Sequence, residues 1–304
     1  MPSYNPLADH LFWPTMALLA ALLGGAYGAL LLVMRGDRAR LRASVLYQRW
    51  RVWAIIAPLY SLAIFGGTLP TLALLTFLTY QGLREYATLV ELPTSYARIL
   101  LLAGLLAAPV AWFSIDAFHL LVPLLLIGAT LQPLLLNRVG TSARHLAFAV
   151  LGWGYIPFFL AHFILLYRYV DGSPGTLLAV GLGTAMSDVG AFVVGKRFGR
   201  HKLVPVISPN KTLEGALGNL LGTYLGIGLL GYALPPAHRL LLLLLPPILA
   251  VGAIWGDLLE STIKREFNTK DAGAWLPGFG GLLDRVDSLI IVIPLMFYFL
   301  RLIG

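Results

Sequence analysis

Most of the chain is divided into apolar segments close to the roughly 20 residues that a helix needs to cross a bilayer. The chain is 58% hydrophobic and 12% charged, and a soluble domain carries about twice that charged share. We therefore predict an all-α, polytopic transmembrane helical bundle of about ten membrane spans. The segments cover residues 11–34, 52–67, 69–83, 99–115, 118–136, 146–167, 175–195, 213–234, 239–258 and 286–303.

The second and third segments are short, and Gly66 and Gly67 lie between them. They are expected to form either a tight helical hairpin or one broken element.

Positive charge is distributed unevenly between the two sides of this predicted bundle. If residues 35–51 are cytoplasmic, the alternation of spans places 19 of the 22 Lys and Arg on that side. Cytoplasmic loops of membrane proteins carry such an excess, so the topology is self-consistent. The net charge of +8 then reflects loops that face anionic lipid. No basic stretch is interleaved with aromatic residues, so we expect no nucleic-acid binding.

The residue types also exclude several kinds of site. The chain has no cysteine, which rules out disulfides, thiolate metal sites and a cysteine nucleophile. Its six histidines show no HxxxH or HExxH spacing, which argues against a zinc hydrolase.

Four polar residues at the end of the ninth segment share one face of a helix. Asp257, Glu260, Ser261 and Lys264 recur at i, i+3, i+4 and i+7. Ionisable groups at a membrane boundary are costly and indicate function by default. The alternative is a solvated helix end with an acid–base pair one turn apart.

A second acidic pair opens the last segment. Asp284, Asp287 and Ser288 again share a helical face, and two neighbouring carboxylates are expensive to hold together. Mg²⁺ bound by these carboxylates and by substrate phosphates would resolve that repulsion. Ion pairing with Arg285 or Lys264 is the alternative.

Glycines precede this pair at positions 278, 280 and 281. They would let the backbone approach a phosphate closely. A plain glycine-rich turn is the other interpretation.

A further acid and a basic stretch come earlier in the chain. Asp188 lies inside the seventh apolar segment, where a substrate or metal role is favoured over a neutral or paired carboxyl. Lys211 lies just before the eighth segment, where Asn210 or Thr212 is suited to cap a helix and Glu214 to occupy its first turn. The functional alternative places polyphosphate on Lys211 and the helix N-terminus. Acids suited to Mg²⁺, several Lys and Arg, and glycines at one membrane face together indicate phosphoryl or nucleotidyl transfer.

Residues 261–287 resemble a known signature. The run S-T-I-K-R-E-F-N-T-K-D-A-G-A-W-L-P-G-F-G-G-L-L-D-R-V-D is similar to S-x-x-K-R-x4-K-D-x-G-x-x-L-P-G-H-G-G-x-x-D-R-x-D of the phosphatidate cytidylyltransferases, or CDP-diacylglycerol synthases. One fixed position differs, because Phe279 replaces the usual His. The stretch SDVGAF…GKRFGRHKL…ISPNKTLEGALG is also similar to that family, so the resemblance covers about 187–288.

The resemblance implies the reaction CTP + phosphatidate → CDP-diacylglycerol + pyrophosphate, with Mg²⁺ as cofactor. It implies metal binding by Asp257, Asp284 and Asp287, with Asp188 on the metal or cytidine side. Ser261 and Lys264 would join these aspartates in catalysis. It leaves room for a second metal ion and for a homodimer. Substrate binding would fall to Asn210, Lys211, Arg265, Lys270 and Arg285.

The resemblance further implies a multi-pass protein of the cell inner membrane with a cytoplasmic active site. Its partners would be CTP, phosphatidic acid and membrane lipid, and spans seven to ten would form a cleft open sideways to lipid. We predict an extra N-terminal span with an Arg-rich segment (1–51), an N-terminal membrane bundle (52–167) and a C-terminal catalytic membrane domain (168–304). Two alternatives are a related enzyme with another lipid acceptor, to which Phe279 points, and a membrane transporter.

Overall fold

The computed structural model describes residues 6–135, 137, 142–234, 240–276 and 280–303. These residues form a bundle of α-helices, which confirms the predicted all-α polytopic class. The helices are α1 (Phe12–Val33), α2 (Arg38–Ala43), α3 (Val45–Phe65), α4 (Thr68–Leu89), α5 (Thr94–Phe113), α6 (Ile115–Leu135), α7 (Ser142–Trp153), α8 (Phe159–Tyr169), α9 (Ser173–Phe198), α10 (Leu213–Leu229), α11 (Leu241–Glu266) and α12 (Leu283–Ile303).

Six stretches of the described chain are long and apolar enough to cross a membrane. The protein is therefore a multi-pass membrane protein. Each of the ten predicted segments overlaps a helix, and the sixth spans both α7 and α8, but the count of ten spans stays a prediction. The six stretches are α1, α5, Ala143–Tyr169, α9, α11 and α12.

The second and third predicted segments form two separate helices, α3 and α4, rather than one broken element. Both are longer than the apolar runs alone suggested. The Ser44 Oγ accepts a hydrogen bond from the Tyr47 N–H at 3.2 Å and starts α3 among polar residues. Gly67, with φ of 88°, makes the turn between the helices. Helix α4 continues past the predicted end at residue 83 to Leu89.

Helix α7 joins α8 through a π-helical turn, Gly154–Phe158. Such turns are rare and often occur at functional sites. Tyr155 lies in this turn and is almost completely buried.

Helices α9 and α10 pack closely because glycines line their interface. A Cβ at Gly218 would meet the Gly190 carbonyl oxygen, and one at Gly222 would meet that of Met186. Small residues let membrane helices approach in this way. The contact fixes the height and rotation of α9, the helix that carries Asp188.

Helix α12 lies at the centre of the bundle. Most of its side chains are buried, and it packs against α8, α9, α11 and α4. It therefore contacts helices on both sides of the predicted boundary at 167/168, and that division stays a prediction.

Apart from an isolated bridge between Leu276 and Gly280, the described residues contain one two-stranded departure from an all-helical fold. Strands β1 (Lys202–Val204) and β2 (Ser208–Thr212) form an antiparallel hairpin in the region predicted to be a basic loop. The Thr212 Oγ1 accepts from the Gly215 N–H at 3.0 Å and caps α10, so of the two cap candidates, Asn210 and Thr212, the helix uses Thr212. The hairpin thus leads directly from the end of α9 to the start of α10.

Candidate active site

A pocket of about 260 Å³ opens where α9, α11 and α12 meet. The aspartates predicted at 188, 257, 284 and 287 all line it, so residues separated by almost 100 positions converge here. Its lining is Asp188, Ala191, Asp257, Lys264, Asp284, Arg285, Asp287 and Ser288.

The polar face predicted for the end of α11 is present. The Ser261 hydroxyl donates to Asp257 Oδ1 at 3.2 Å, and the Lys264 Nζ donates to Glu260 Oε2 at 3.0 Å. Both contacts span one helical turn. This face is directed toward the pocket, with Glu260 and Ser261 buried beside it.

Lys211 connects the hairpin to this face of α11. Its Nζ lies 2.6 Å from Asp257 Oδ2, and both side chains are only partly covered. The last residues of β2 therefore place a cation at the rim of the pocket. An anionic ligand entering the pocket would compete with Asp257 for that cation.

Both oxygens of Asp284 are engaged by groups of the protein. Oδ1 accepts from Lys264 Nζ at 2.7 Å, which is the ion pair considered as an alternative to metal binding. Oδ2 accepts from the backbone N–H of Ala272 at 3.0 Å and of Gly281 at 2.8 Å. Asp284 is 6% exposed, so these donors offset much of the cost of burying its charge.

Asp287 lies one turn further along α12, where α11 approaches closely. Its Oδ1 accepts from the Ser288 N–H at 2.7 Å, and the Ser288 hydroxyl donates to the Ala253 carbonyl at 3.1 Å. A Cβ at Gly256 would meet the Asp287 backbone carbonyl. Gly256 therefore permits the contact that brings Asp257 and Asp287 to one pocket.

Asp188 reaches the pocket from α9 and is exposed there. Val189, Phe192 and Val193 on the same helix are each more than half exposed. An ionisable group thus lies beside an open apolar surface.

Five predicted site residues are not part of the pocket lining. Ser261 and Lys211 contact Asp257, which lines the pocket, and the other three are Arg265, Asn210 and Lys270. Arg265 is exposed, and its Nε donates to the Ile207 carbonyl at 3.2 Å, which ties the hairpin to α11. Asn210 and Lys270 are exposed and do not line the pocket. Phe279, the departure from the signature, lies outside the described residues.

Two residues near the pocket were missed by the sequence analysis. Glu85 was placed in a loop after the third segment, but it is buried near the end of α4. Its carboxylate accepts from the N–H groups of Leu282 and Leu283 at 3.0 and 2.8 Å. Tyr155, from the π-helical turn, is buried within electrostatic range of Glu260 and Asp287. Local spacing indicates a functional role for neither Glu85 nor Tyr155. The position of Glu85 beside a long apolar run is a signal that could have drawn attention to it.

The amino-acid sequence that forms this pocket matches a known protein family. A profile of the cytidylyltransferase family matches residues 47–303, which is most of the chain and includes every residue that lines the pocket. The chain belongs to the cytidylyltransferase family. It is therefore a nucleotidyltransferase, and the family resemblance noted for residues 261–287 is confirmed.

Individual relatives support the same assignment for this cytidylyltransferase. The chain is 32% identical over 236 residues to a phosphatidate cytidylyltransferase of Staphylococcus aureus, which covers 77% of this chain and 88% of that protein. It is 43% identical over 134 residues to one of Staphylococcus haemolyticus, covering 43% and 52%. It is 35% identical over 270 residues to the uncharacterized protein YnbB of Escherichia coli, covering 83% and 86%.

The acidic residues of the pocket would suit a divalent cation that binds together with an anionic ligand. Among the described residues, no three acidic or histidine side chains form a metal centre by themselves. Mg²⁺ commonly takes one or two carboxylates and completes its shell with substrate phosphates and water. Asp188, Asp257, Asp284 and Asp287 all line the pocket. Asp257 is contacted by Ser261 and Lys211, and Asp284 by Lys264 and two N–H groups, so a bound cation would share these oxygens with the donors already present.

Proposed function

We propose that the protein transfers the cytidylyl group of CTP to phosphatidate and releases pyrophosphate, forming CDP-diacylglycerol. The observation that carries the proposal is the convergence of Asp188, Asp257 and Asp287 with Lys264 and Arg285 on one pocket. The pocket combines carboxylates for a cation with cations for phosphate. This is the combination that phosphoryl-group chemistry requires, and the two Staphylococcus relatives are named phosphatidate cytidylyltransferases.

The surroundings of the pocket support a lipid acceptor. The exposed apolar residues Val189, Phe192 and Val193 follow Asp188 along α9. Acyl chains could remain against this surface, in the bilayer, while the lipid phosphate reaches the pocket. We thus propose that the lipid enters beside α9.

The proposed step exchanges one phosphorus–oxygen bond for another. An oxygen of the phosphatidate dianion attacks the α-phosphorus of CTP, the bond to the α,β-bridging oxygen breaks, and its electron pair leaves with pyrophosphate. The attacking phosphate is already anionic, so it needs no general base. Placement and charge neutralisation are then the main contributions of the protein.

The described residues suit these tasks. Lys211, at the rim, and Arg285, in the lining, would bind phosphate oxygens. Lys264 holds Asp284 and Glu260 in place, and Ser261 orients Asp257. Mg²⁺, held by Asp257 and Asp287 with Asp188 nearby, would supply neutralisation of the departing pyrophosphate.

We also propose that the pocket faces the cytoplasm from a bacterial inner membrane. The segregation of Lys and Arg supports that orientation, and CTP is a cytoplasmic nucleotide. A second metal ion and a homodimer remain predictions.

The test uses purified protein with phosphatidate, Mg²⁺ and CTP labelled at either the α- or the γ-phosphorus. We expect the α-label to enter the lipid fraction and the γ-label to stay in the aqueous phase as pyrophosphate. EDTA should prevent both the labelling of lipid and the release of pyrophosphate. Entry of γ-label into lipid would instead reveal a kinase. Asp284→Asn should abolish turnover without loss of expression, whereas Asp116→Asn, an exposed change on α6, should have little effect.

The same assay separates the alternatives. Label that enters a different lipid phosphate, but not phosphatidate, would replace the proposed acceptor with another one. A protein that neither binds CTP nor labels any lipid would contradict the proposal and favour a transporter.

A further inference from the structure

The carboxylate of Glu85 is buried where the N-terminal bundle meets the signature segment. Glu85 is 7% exposed. Its Oε1 accepts from Gln81 Nε2 at 2.8 Å and from the Leu282 N–H at 3.0 Å. Its Oε2 accepts from the Leu283 N–H at 2.8 Å. Glu85 therefore holds the first residues of α12 through backbone contacts that do not depend on the side chains at 282 and 283.

The segment before α12 leaves space for this carboxylate. A Cβ at Gly281 would lie 2.5 Å from Glu85 Oε2, and one at Gly273 would lie 3.0 Å from Glu85 Cδ. Larger residues at either position would push the carboxylate away. The two glycines thus serve the contact with Glu85, beyond any role in approaching a phosphate.

A second carboxylate holds the same segment from the side of the pocket. Asp284 Oδ2 accepts from the Ala272 and Gly281 N–H groups. Successive N–H groups at 281, 282 and 283 are therefore divided between Asp284 and Glu85. The N-terminus of a helix carries partial positive charge, which a nearby carboxylate stabilises.

We infer that Glu85 is a positioning residue for cytidylyl transfer. It does not line the pocket, but it fixes the first turn of α12, from which Asp284, Arg285 and Asp287 reach the pocket. This inference rests on the proposed function for its kinetic readout. A shift of about 1 Å in groups that position a substrate can reduce the rate about 100-fold.

The test compares Glu85→Gln with Glu91→Gln, an exposed acid just beyond the end of the same helix. Glutamine keeps the size of the side chain but offers one acceptor oxygen, so its NH₂ group faces one of the N–H donors. For folded, monodisperse Glu85→Gln we expect kcat to fall about 10- to 100-fold, with the KM for CTP changed less than about threefold. Glu91→Gln should behave as the unmodified protein.

Two gentler variants keep the test decisive if Glu85→Gln does not fold. Glu85→Asp retains the charge on a shorter side chain, and Gln81→Met removes one donor to Oε1 while leaving the carboxylate. Both should lower kcat by smaller factors than Glu85→Gln. A kcat within twofold of the unmodified protein, whatever the change in melting temperature, would show a merely structural role and overturn the inference.

Hydrogen exchange supplies a readout that does not require turnover. The amides of Leu282 and Leu283 should exchange faster in Glu85→Gln than in Glu91→Gln. If the unmodified protein transfers no cytidylyl group, the proposed function fails separately. Unchanged exchange at these two amides would then still overturn the contact on which the inference depends.

Discussion

The Lys264 Nζ lies 2.7 Å from Asp284 Oδ1 and thereby joins the last turns of α11 to the first turn of α12. The same ammonium group lies 3.0 Å from Glu260 Oε2. One cation therefore compensates two buried carboxylates. The two helices that carry most of the pocket are held together by charge as well as by packing.

Replacing Lys264 with Met should destabilise the protein strongly. Removal of one partner from a buried ion pair leaves an uncompensated charge and costs about 3–5 kcal/mol. Thermal unfolding in detergent should show a lower midpoint, and adding Glu260→Gln should restore part of the loss. The matched control, Lys196→Met at the exposed end of α9, should shift the midpoint little. An unchanged midpoint for Lys264→Met would contradict a structural role for this cation.

Replacing Lys211 with Met should weaken nucleotide use more than stability. The Lys211–Asp257 pair is partly exposed, and such pairs contribute about 1 kcal/mol or less. If Lys211 binds phosphate, the KM for CTP should rise about tenfold, the effect of losing roughly 1.4 kcal/mol of binding. Lys202→Met, on the opposite strand of the hairpin, is the control and should change KM less than twofold. Equal effects of the two changes would argue for general electrostatic attraction instead.

Mg²⁺ alone should not raise the melting temperature, whereas Mg²⁺ with a non-hydrolysable CTP analogue should. The described residues form no group of three acidic or histidine ligands, and the cations Lys264 and Lys211 already compensate Asp284 and Asp257. A ligand that binds only the folded state stabilises it by RT ln(1 + [L]/Kd), so the stabilisation grows as the ligand concentration rises above Kd. Differential scanning fluorimetry with each component alone provides the control. A large shift with Mg²⁺ alone would indicate a preformed metal centre.

Two glycine substitutions on α10 should differ in their effect on stability, because only the first is destabilising. Gly222→Ala places a Cβ against the Met186 carbonyl, and such overpacking costs about 1–3 kcal/mol. Gly228→Ala meets no atom within 4 Å and should be neutral or stabilising by up to about 1 kcal/mol, because alanine favours the helix. Thermal unfolding of both variants tests the α9–α10 contact. Equal unfolding midpoints for the two variants would show that α9 and α10 can move apart with no loss of folding free energy.

The sequence predicted those parts of the site that lie on one helix. The spacing of Asp257, Glu260, Ser261 and Lys264 defined their common face because helical periodicity is a local property. The pairing of Asp284 with Lys264 was one of two open interpretations. The structure shows this contact between residues 20 positions apart on two helices, and such a distance cannot be obtained from spacing within one helix. The Mg²⁺ role of Asp284 stays a prediction.

The contacts between distant segments could not be predicted in the same way. Glu85 was assigned to a polar loop because the apolar run ends at residue 83, yet tertiary packing extends α4 by six residues and buries this acid. The β-hairpin could not be predicted from the sequence for a different reason. Its strands are short and polar, and the basic residues around it resemble an ordinary cytoplasmic loop.

The contact between Glu85 and Leu282 joins positions 197 residues apart, and this separation has a consequence for biosynthesis. Helix α4 leaves the ribosome well before α12 is synthesised. The carboxylate of Glu85 therefore lacks the Leu282 and Leu283 N–H donors until about 200 further residues have been added to the nascent chain. A nascent chain interrupted before α12 would lack Asp284, Arg285 and Asp287, so unfinished copies in the membrane would have no complete pocket.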